Sequence, residues 1–388
     1  MAPYIQSKRS RKLSPFHVMD VLAQANALQR QGKSIYHLEV GEPDFPTAES
    51  IINAGIKALK EGKTSYTPAT GLPELREAIA DYYQRKFSLT INPRRIIVTP
   101  GASGALQLLT LCLLDAGDNV LLADPGYPCN KNVAEVLAAR TVNIPVDSSS
   151  CFQLNAALVA RHWNKKTRAV IVANPSNPTG TLLSRNQLKA LYQQVAQKNG
   201  RLIVDEIYQG LVYDTLDMTA LEISDECFVI NSFSKYFGMT GWRLGWMVVP
   251  EDYVNTLDRL AQNIFLAPPT ISQYAALAAL KSSTQQLLDE RRDEFKQRRD
   301  FLLPALQNMG FTVAIKPQGA FYIYAGCEEF TDDSFTWIMR LLNEQGVALA
   351  PGIDFGVHRA NAHCRFSYTQ SIAILQQAVD KIDQFVRR

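Results

Sequence analysis

Short runs of apolar and β-branched residues recur through the middle of the chain. These runs lie at 95–99, 119–123, 169–173, 201–205, 227–231 and 244–249. Several of the stretches between them follow a helical period, and these lie at 104–114, 185–198 and 273–288. Strands that alternate with helices predict an α/β fold, with a mostly parallel sheet that helices cover on both faces.

The pattern changes after about residue 285. A charged helical stretch at 289–308 leads into strand-like segments at 311–315 and 320–324, and then into a helix near 334–344. This order is typical of a separate α+β unit. The first 45 residues do not follow the repeating pattern, and their composition assigns them to neither unit.

Polar and glycine-rich segments follow five of the predicted strands. They lie at 101–103, 124–127, 174–180, 205–208 and 232–235. In open α/β sheets, ligands bind beyond the carboxyl ends of the strands. Five such loops at one edge are more than a core requires, so the sequence predicts a ligand site there.

Composition narrows the class of protein. The chain has 388 residues, of which 46% are hydrophobic and 20% charged, an ordinary globular balance at a length typical of two domains. The net charge of +3 and the lack of a long basic run argue against nucleic acid as a partner. No apolar run reaches the ~18 residues of a membrane span, and no apolar leader opens the chain. We therefore expect a cytoplasmic protein without a membrane partner.

Cysteine and histidine spacing indicates neither a disulfide framework nor a metal site. The six cysteines form no CxxC pair, and the five histidines show no ligand spacing such as HExxH. Reduced thiols in a cytosolic enzyme without a metal are the expectation.

The segment from Ser232 to Gly245 carries the strongest chemical signal. A lysine is usually a solvated surface residue, but Lys235 follows an apolar run and small hydroxyl residues. A lysine amine becomes a nucleophile when burial or a nearby cation lowers its pKa. Arg243, eight residues further on, is able to bind a phosphate bidentately. The pair suggests one cofactor that is held by its aldehyde and by its phosphate.

Three other motifs lie at predicted strand ends. Asp205 has the common interpretation of a strand-end cap, or it is a carboxylate that keeps a pyridine nitrogen protonated, with Tyr208 beside the ring. The turn-forming segment 174–180 would present the Asn177 amide to a ligand. The small residues 101–104 begin a helix, which is a weak phosphate-site signal.

These motifs, in this order, resemble the class I and II aminotransferases of fold-type I, which use pyridoxal 5′-phosphate (PLP). The resemblance runs from 41–45 to 365–368. It implies a large domain, 46–285, with a mostly parallel seven-stranded sheet covered by helices. It also implies a smaller α+β domain, formed by the C-terminal segment 286–388 together with the N-terminal segment 1–45.

The resemblance implies a role for each matching residue around the cofactor ring. Lys235 would hold PLP as a Schiff base and then transfer the proton. Asp205 would pair with the ring nitrogen, and Tyr127 would stack on the ring face. Asn177 and Tyr208 would hold the ring oxygen, and Asn177 would also contact the substrate.

The phosphate would be bound by Arg243, Ser232 and the backbone amides of Ala102 and Ser103. Tyr66 resembles a tyrosine that reaches the phosphate in a partner subunit. The resemblance therefore implies a homodimer whose active sites share residues.

On the substrate side, Arg365 resembles the arginine that binds the α-carboxylate, and Gly41 would add a backbone contact. Ser103 stands where one dicarboxylate-specific branch has a lysine. The segments 15–19 and 264–269 are mostly apolar. We expect a neutral, apolar or aromatic L-amino acid as donor, with 2-oxoglutarate or pyruvate as acceptor and ping-pong kinetics.

Three alternatives remain at this stage. A PLP-dependent C–S β-lyase on the same scaffold would share nearly every cofactor residue. A PLP-binding transcription regulator would need a DNA-binding domain, for which the 40 residues before Gly41 are too few. A non-enzymatic α/β interaction protein would make the spacing of these residues accidental.

Overall fold

The computed structural model describes Ser7, residues 10–13 and residues 15–387, and the other residues of the predicted segment 1–45 lie outside that description. The strands are β1 Tyr36–His37, β2 Ile96–Thr99, β3 Asn119–Asp124, β4 Arg140–Pro145, β5 Thr167–Ala173, β6 Arg201–Asp205, β7 Phe228–Ser232, β8 Gly245–Val248, β9 Tyr322–Gly326, β10 Val347–Ala348, β11 Ala350–Pro351 and β12 His363–Ser367. The helices are α1 His17–Arg30, α2 Glu49–Lys60, α3 Pro73–Phe87, α4 Gly101–Leu113, α5 Pro128–Val136, α6 Ala156–His162, α7 Arg185–Ala196, α8 Val254–Ile264, α9 Thr270–Ala279, α10 Ser282–Asn308, α11 Ser334–Gln345 and α12 Ile372–Val386. No helix within the described residues combines the length and the apolar character that a membrane span requires.

Seven strands form the main sheet in the order β2-β8-β7-β6-β5-β3-β4. Only β8 runs against the others, because it pairs antiparallel with both β2 and β7. The predicted mostly parallel, seven-stranded sheet is confirmed. The apolar pattern missed β4, an edge strand with only one buried residue, Ile144. An edge strand of this kind has no continuous apolar run to reveal it.

The sheet buries both of its faces. Along β6, Leu202 and Val204 belong to one core cluster, and Ile203 belongs to the other. Helix α4 lies on the Ile203 side, while α7 packs on the opposite side. Because both faces are covered, the polar groups of the site lie where the parallel strands end.

The single helix expected at 273–288 is wrong, since two helices occupy that stretch. Helix α9 ends at Ala279, and Lys281 is extended (ψ 141°) before α10 begins. The carbonyl of Leu280 accepts a hydrogen bond of 2.8 Å from Nη2 of Arg85, on α3. A contact from such a distant residue leaves no periodic signal in the local sequence.

The C-terminal region builds its own small sheet. Strands β11, β12 and β9 pair antiparallel, while the expected strand at 311–315 forms only an isolated bridge between Thr312 and Gly326. Strand β1 pairs in parallel with β10 and so links the N-terminal segment to this region. Helix α10 runs through residue 285, and the division into 1–45, 46–285 and 286–388 stays a prediction.

Candidate active site

Lys235 lies in the loop after β7, at the carboxyl edge of the main sheet. Its Nζ donates a hydrogen bond of 2.6 Å to the carbonyl oxygen of Gly41. The side chain keeps partial solvent access, yet burial of the amine lowers the pKa of Lys235 to about 8. Glu42 opposes this shift, and Arg365 and Arg243 add to it. The neutral amine, the form that a nucleophile requires, is therefore a minor but appreciable fraction near physiological pH, far larger than for an ordinary lysine.

Asp205 ends β6, the strand beside β7, and its side chain is buried. Its Oδ1 accepts the N–H of Ile207 at 3.2 Å. Burial raises the pKa of Asp205 to about 6, against the opposing effect of that hydrogen bond. A cation beside this carboxylate would offset the cost of burying its charge. A protonated ring nitrogen is such a cation.

A hydrogen-bonded group of four side chains joins the main sheet to the small C-terminal sheet. Nη1 of Arg365 donates to Oδ1 of Asn177 at 2.9 Å, and Nδ2 of Asn177 donates to the Tyr208 hydroxyl at 3.4 Å. The hydroxyls of Tyr208 and Tyr322 lie 2.8 Å apart. Nη2 of Arg365 donates to the carbonyl of Glu39 at 2.6 Å, and Nε is buried without a partner. These contacts fix the arginine and leave a donor for an anion.

Tyr322 is a site residue that the sequence did not reveal. Its ring centre lies 4.2 Å from the guanidinium carbon of Arg365. A Cβ built on Gly41 would fall 1.7 Å from the Tyr322 hydroxyl oxygen, so only glycine allows this approach. In the sequence Tyr322 is one aromatic residue in a buried strand, and the glycine of the 41–45 motif was the only available sign of its position.

The amino end of α4 and Arg243 form a separate polar corner. Ala102 and Ser103 lie in the first turn of α4, where backbone N–H groups have no partner within the helix. A Cβ on Gly101 would lie 2.6 Å from Nη2 of Arg243. A helix amino end beside a guanidinium is suited to bind an anion such as phosphate.

Ser232 and Gly245 close this corner from the sheet side. The Ser232 hydroxyl lies 3.0 Å from the hydroxyl of Ser234, and it accepts the Ser234 N–H at 3.1 Å. A Cβ on Gly245 would lie 2.8 Å from the backbone nitrogen of Ala102. The loop after β7 and the start of α4 are therefore packed directly against β8.

Tyr127 lies just before α5 and lines a cavity at this edge of the sheet. Burial raises the pKa of its hydroxyl well above the usual value. The same cavity is lined by Asn177, Phe355 and the chain just before α1. Tyr127 is therefore placed to contact a flat ring bound in this cavity.

Tyr66 is one of three predicted site residues that are exposed, and the other two are Ser103 and Arg243. The Tyr66 side chain is 81% exposed. The loop is held nearby, where the Thr270 hydroxyl donates to the carbonyl of Ser65 at 2.9 Å. An exposed tyrosine on a fixed loop is available to another subunit.

The remaining predicted residues fit PLP. An amine with a lowered pKa suits an aldehyde, a buried carboxylate suits a pyridine nitrogen, and a helix amino end with an arginine suits a phosphate. The cradle depends on glycines, because side chains on Gly41, Gly101 or Gly245 would fill it. Together, the fold and this site define a PLP-dependent enzyme of fold-type I.

Comparison with known proteins assigns the family. The chain matches the family "Aminotransferase class I and II" over residues 33–382. It is 38% identical to the valine–pyruvate aminotransferase of Mycobacterium tuberculosis, covering 96% of each chain. It is also 38% identical to the (5-formylfuran-3-yl)methyl phosphate transaminase of Methanocaldococcus jannaschii, covering 98% of this chain and all of that protein.

Solved structures agree with this assignment. An aminotransferase from Mycobacterium tuberculosis superposes with a TM-score of 0.96 at 37% identity, covering 99% of this chain and all of that one. The Thermus thermophilus aspartate aminotransferase bound to maleate gives a TM-score of 0.93 at 32% identity, covering 98% and 100%. The chain belongs to the class I and II aminotransferases, and it transfers amino groups between amino acids and 2-oxo acids with PLP as cofactor.

Proposed function

We propose that Lys235 attaches the cofactor and moves the proton during transfer, and that Arg365 binds the substrate α-carboxylate. The observation that carries this proposal is the convergence of a lysine amine of pKa about 8, a buried aspartate and a fixed arginine at one edge of the sheet. PLP supplies an aldehyde and an electron-withdrawing ring to this chemistry.

Each residue then has a physical task. The neutral amine of Lys235 would take a proton from the substrate α-carbon and deliver it to the cofactor carbon on the other side of the amino nitrogen, as general base and then acid. Asp205 would keep the pyridine nitrogen of the cofactor protonated. Asn177 and Tyr208 orient the ring oxygen, while Tyr127 packs on the ring. The free Nε of Arg365 is available for a carboxylate.

We further propose that the donor is a neutral amino acid with an apolar or aromatic side chain. Phe16, Phe355 and Val357 line the cavity together with Asp124 and Asp354. Both carboxylates accept backbone N–H groups, so neither offers a cation or a free donor to a second carboxylate on the substrate. A buried charge without a partner costs several kcal/mol.

The test is kcat/KM for aspartate, alanine, methionine and phenylalanine with one acceptor. We expect phenylalanine or methionine to exceed aspartate. Lys131 also lines the cavity, so the series is repeated with Lys131→Met, which we expect to leave the order of donors unchanged. Aspartate leading by about tenfold or more, a difference of about 1.4 kcal/mol, would refute the proposed donor class. A separate assay with an S-substituted cysteine and no acceptor detects ammonia and pyruvate, the products of a C–S β-lyase.

We also propose a cytoplasmic homodimer whose active sites share residues. The exposed Tyr66 supports the dimer. The free cysteines support the cytoplasmic location, since all six are without a disulfide and disulfides are rare in the reducing cytosol. Mass measurement in solution tests the first proposal, and fractionation of cells tests the second.

A further inference from the structure

Helix α1 begins without a capping side chain of its own. Its N-cap position is Phe16, which has no side-chain oxygen. The free N–H groups of His17 and Val18 instead donate to Oδ1 and Oδ2 of Asp354, each at 2.7 Å. A carboxylate that accepts two N–H groups at the positive end of a helix is a strong anchor. The start of α1 is therefore fixed by a residue from the far end of the chain.

The segment that carries Asp354 is held from its other side by Asp124. The Val357 N–H lies 3.1 Å from both carboxylate oxygens of Asp124, the last residue of β3. The N–H of Gly126 donates to the carbonyl of Phe355 at 2.7 Å. A Cβ on Gly356 would fall 1.7 Å from Oδ1 of Asp124. Residues 354–357 are thus anchored both to the main sheet and to α1.

This anchored segment and the start of α1 form one wall of the cavity that Tyr127 and Asn177 of the candidate site also line. Phe16, His17, Phe355 and Val357 line the cavity together with Tyr127. Phe16 packs against the apolar cluster that contains Phe355. The ring centre of Phe355 also lies 4.8 Å from the guanidinium carbon of Arg365. A substrate whose α-carboxylate binds Arg365 would therefore direct its side chain towards this wall.

We propose that Asp354 determines which amino-acid side chains the enzyme accepts, because it fixes Phe16 and His17 as the wall that receives them. The inference rests on the proposed role of Arg365 and names large apolar or aromatic donors as the class favoured by this wall. Asp354 is a positioning residue, since its oxygens bind backbone N–H groups rather than substrate. It acts through Phe16.

The experiment compares phenylalanine with alanine as donors for the holoenzyme and two variants. Asp354→Ala removes both acceptor oxygens, and the milder Asp354→Asn keeps one. Loss of an anchor equivalent to a helix cap should raise KM for phenylalanine about tenfold and leave kcat within about threefold. Alanine, whose methyl group does not reach the wall, should keep its kcat/KM within about threefold. The affinity for 3-phenylpropanoate should fall with Asp354→Ala, whereas the affinity for propanoate should not.

The matched control is Asn155→Ala, which removes a cap from another helix. Asn155 accepts the N–H of Leu158 at 2.9 Å at the start of α6, and α6 carries no residue of the proposed wall. This variant should behave as wild type with both donors. In the double variant Phe16→Ala/Asp354→Ala, phenylalanine should be no worse a donor than in Phe16→Ala alone, because the two residues act as one unit.

Two outcomes would overturn the inference. One is an equal loss for alanine and phenylalanine in both Asp354 variants, which indicates general damage to the fold. The other is unchanged KM for phenylalanine. A wrong donor class can be told apart from a wrong role for Asp354, because it shows in the wild-type enzyme as a preference for aspartate.

Discussion

At the scale of single residues, the chemistry depends on how burial changes proton affinity. Burial disfavours the charged form of a side chain, so it lowers the pKa of the Lys235 amine and raises that of the Asp205 carboxyl. The two shifts have different consequences. The lowered pKa of Lys235 increases the fraction of neutral amine, while the raised pKa of Asp205 shows that its charged form needs a cation beside it.

The rate of cofactor attachment to the cofactor-free enzyme should increase with pH. The reactive form of Lys235 is the neutral amine, and its pKa is about 8 rather than the ordinary 10.5. The rate should therefore rise through about pH 8 and level off above it. Stopped-flow absorbance at 0.5-unit pH steps measures this, with Lys235→Ala as the control that gives no attachment. A rate that keeps rising towards the ordinary lysine pKa would contradict the expected burial.

Asp205→Asn should keep PLP bound but lose most of the transfer activity. The amide fills the same space but carries no charge, so the ring nitrogen is no longer held protonated. We expect kcat to fall by about a hundredfold or more. The cofactor content per subunit and the turnover number are measured on the same preparation. Turnover close to that of wild type would show that Asp205 only ends its strand.

The sequence predicted site residues that belong to local motifs and missed those that depend on distant contacts. Lys235 and Asp205 follow strands, and their loops carry recognisable spacing. Tyr322 and Asp354 have no such signal. Their contacts arise only when β9 approaches Gly41 and when residues 354–357 meet α1. A single sequence does not record such pairings.

At the scale of elements, α4 and β8 depend on a glycine between them. Gly245 begins β8, and a Cβ there would lie 2.8 Å from the nitrogen of Ala102 and 2.8 Å from the oxygen of Asn231. Both neighbours are backbone atoms within regular elements. The nitrogen moves only with the amino end of α4, and the oxygen moves only with β7.

Gly245→Ala should weaken both the fold and the binding of the cofactor. Overpacking of this kind lowers the free energy of unfolding by about 1–3 kcal/mol. The displaced α4 should also raise the dissociation constant for PLP. Denaturant unfolding of the cofactor-free protein and a PLP titration measure the two effects. Gly241→Ala is the control, because its Cβ would meet no atom within 4 Å; equal effects of both substitutions would contradict this account.

Elements were predictable where the chain alternates apolar runs with helical periods. The six runs correspond to β2, β3, β5, β6, β7 and β8, all of which are largely buried. Strand β4 was not predicted because only Ile144 is buried along it. The break between α9 and α10 was not predicted because Arg85, which binds the Leu280 carbonyl, comes from another helix.

At the scale of the whole molecule, long-range pairings join the two ends of the chain around the site. Strand β1 pairs with β10, and Asp44 forms an ion pair of 2.8 Å with Arg298 on α10. Gly41 lies between these two contacts, which helps to hold its carbonyl at Lys235. A change in how the chain ends meet would therefore alter the position of the Lys235 amine.

The proposed dimer would complete each active site with Tyr66 from the other subunit. Arg243 and the amino end of α4 lie next to each other in one chain, while Tyr66 is 81% exposed. If Tyr66 serves the partner's phosphate corner, each site is incomplete in a monomer. Sedimentation that finds a fully active monomer would rule this out.

Heterodimers of Lys235→Ala and Tyr66→Phe subunits should test whether the sites are shared. With sharing, one site carries both lesions and the other carries neither, so a heterodimer should show half of the wild-type activity. Without sharing, the only site with a lysine also carries Phe in place of its own Tyr66, and activity should equal half that of the Tyr66→Phe homodimer. The two cases separate best at limiting PLP, because loss of one phosphate hydrogen bond should lower cofactor affinity by about tenfold. Two different affinity tags isolate the heterodimer, and its turnover is compared with that of both parent homodimers. A value at half the Tyr66→Phe level would show that Tyr66 acts, if at all, within its own chain.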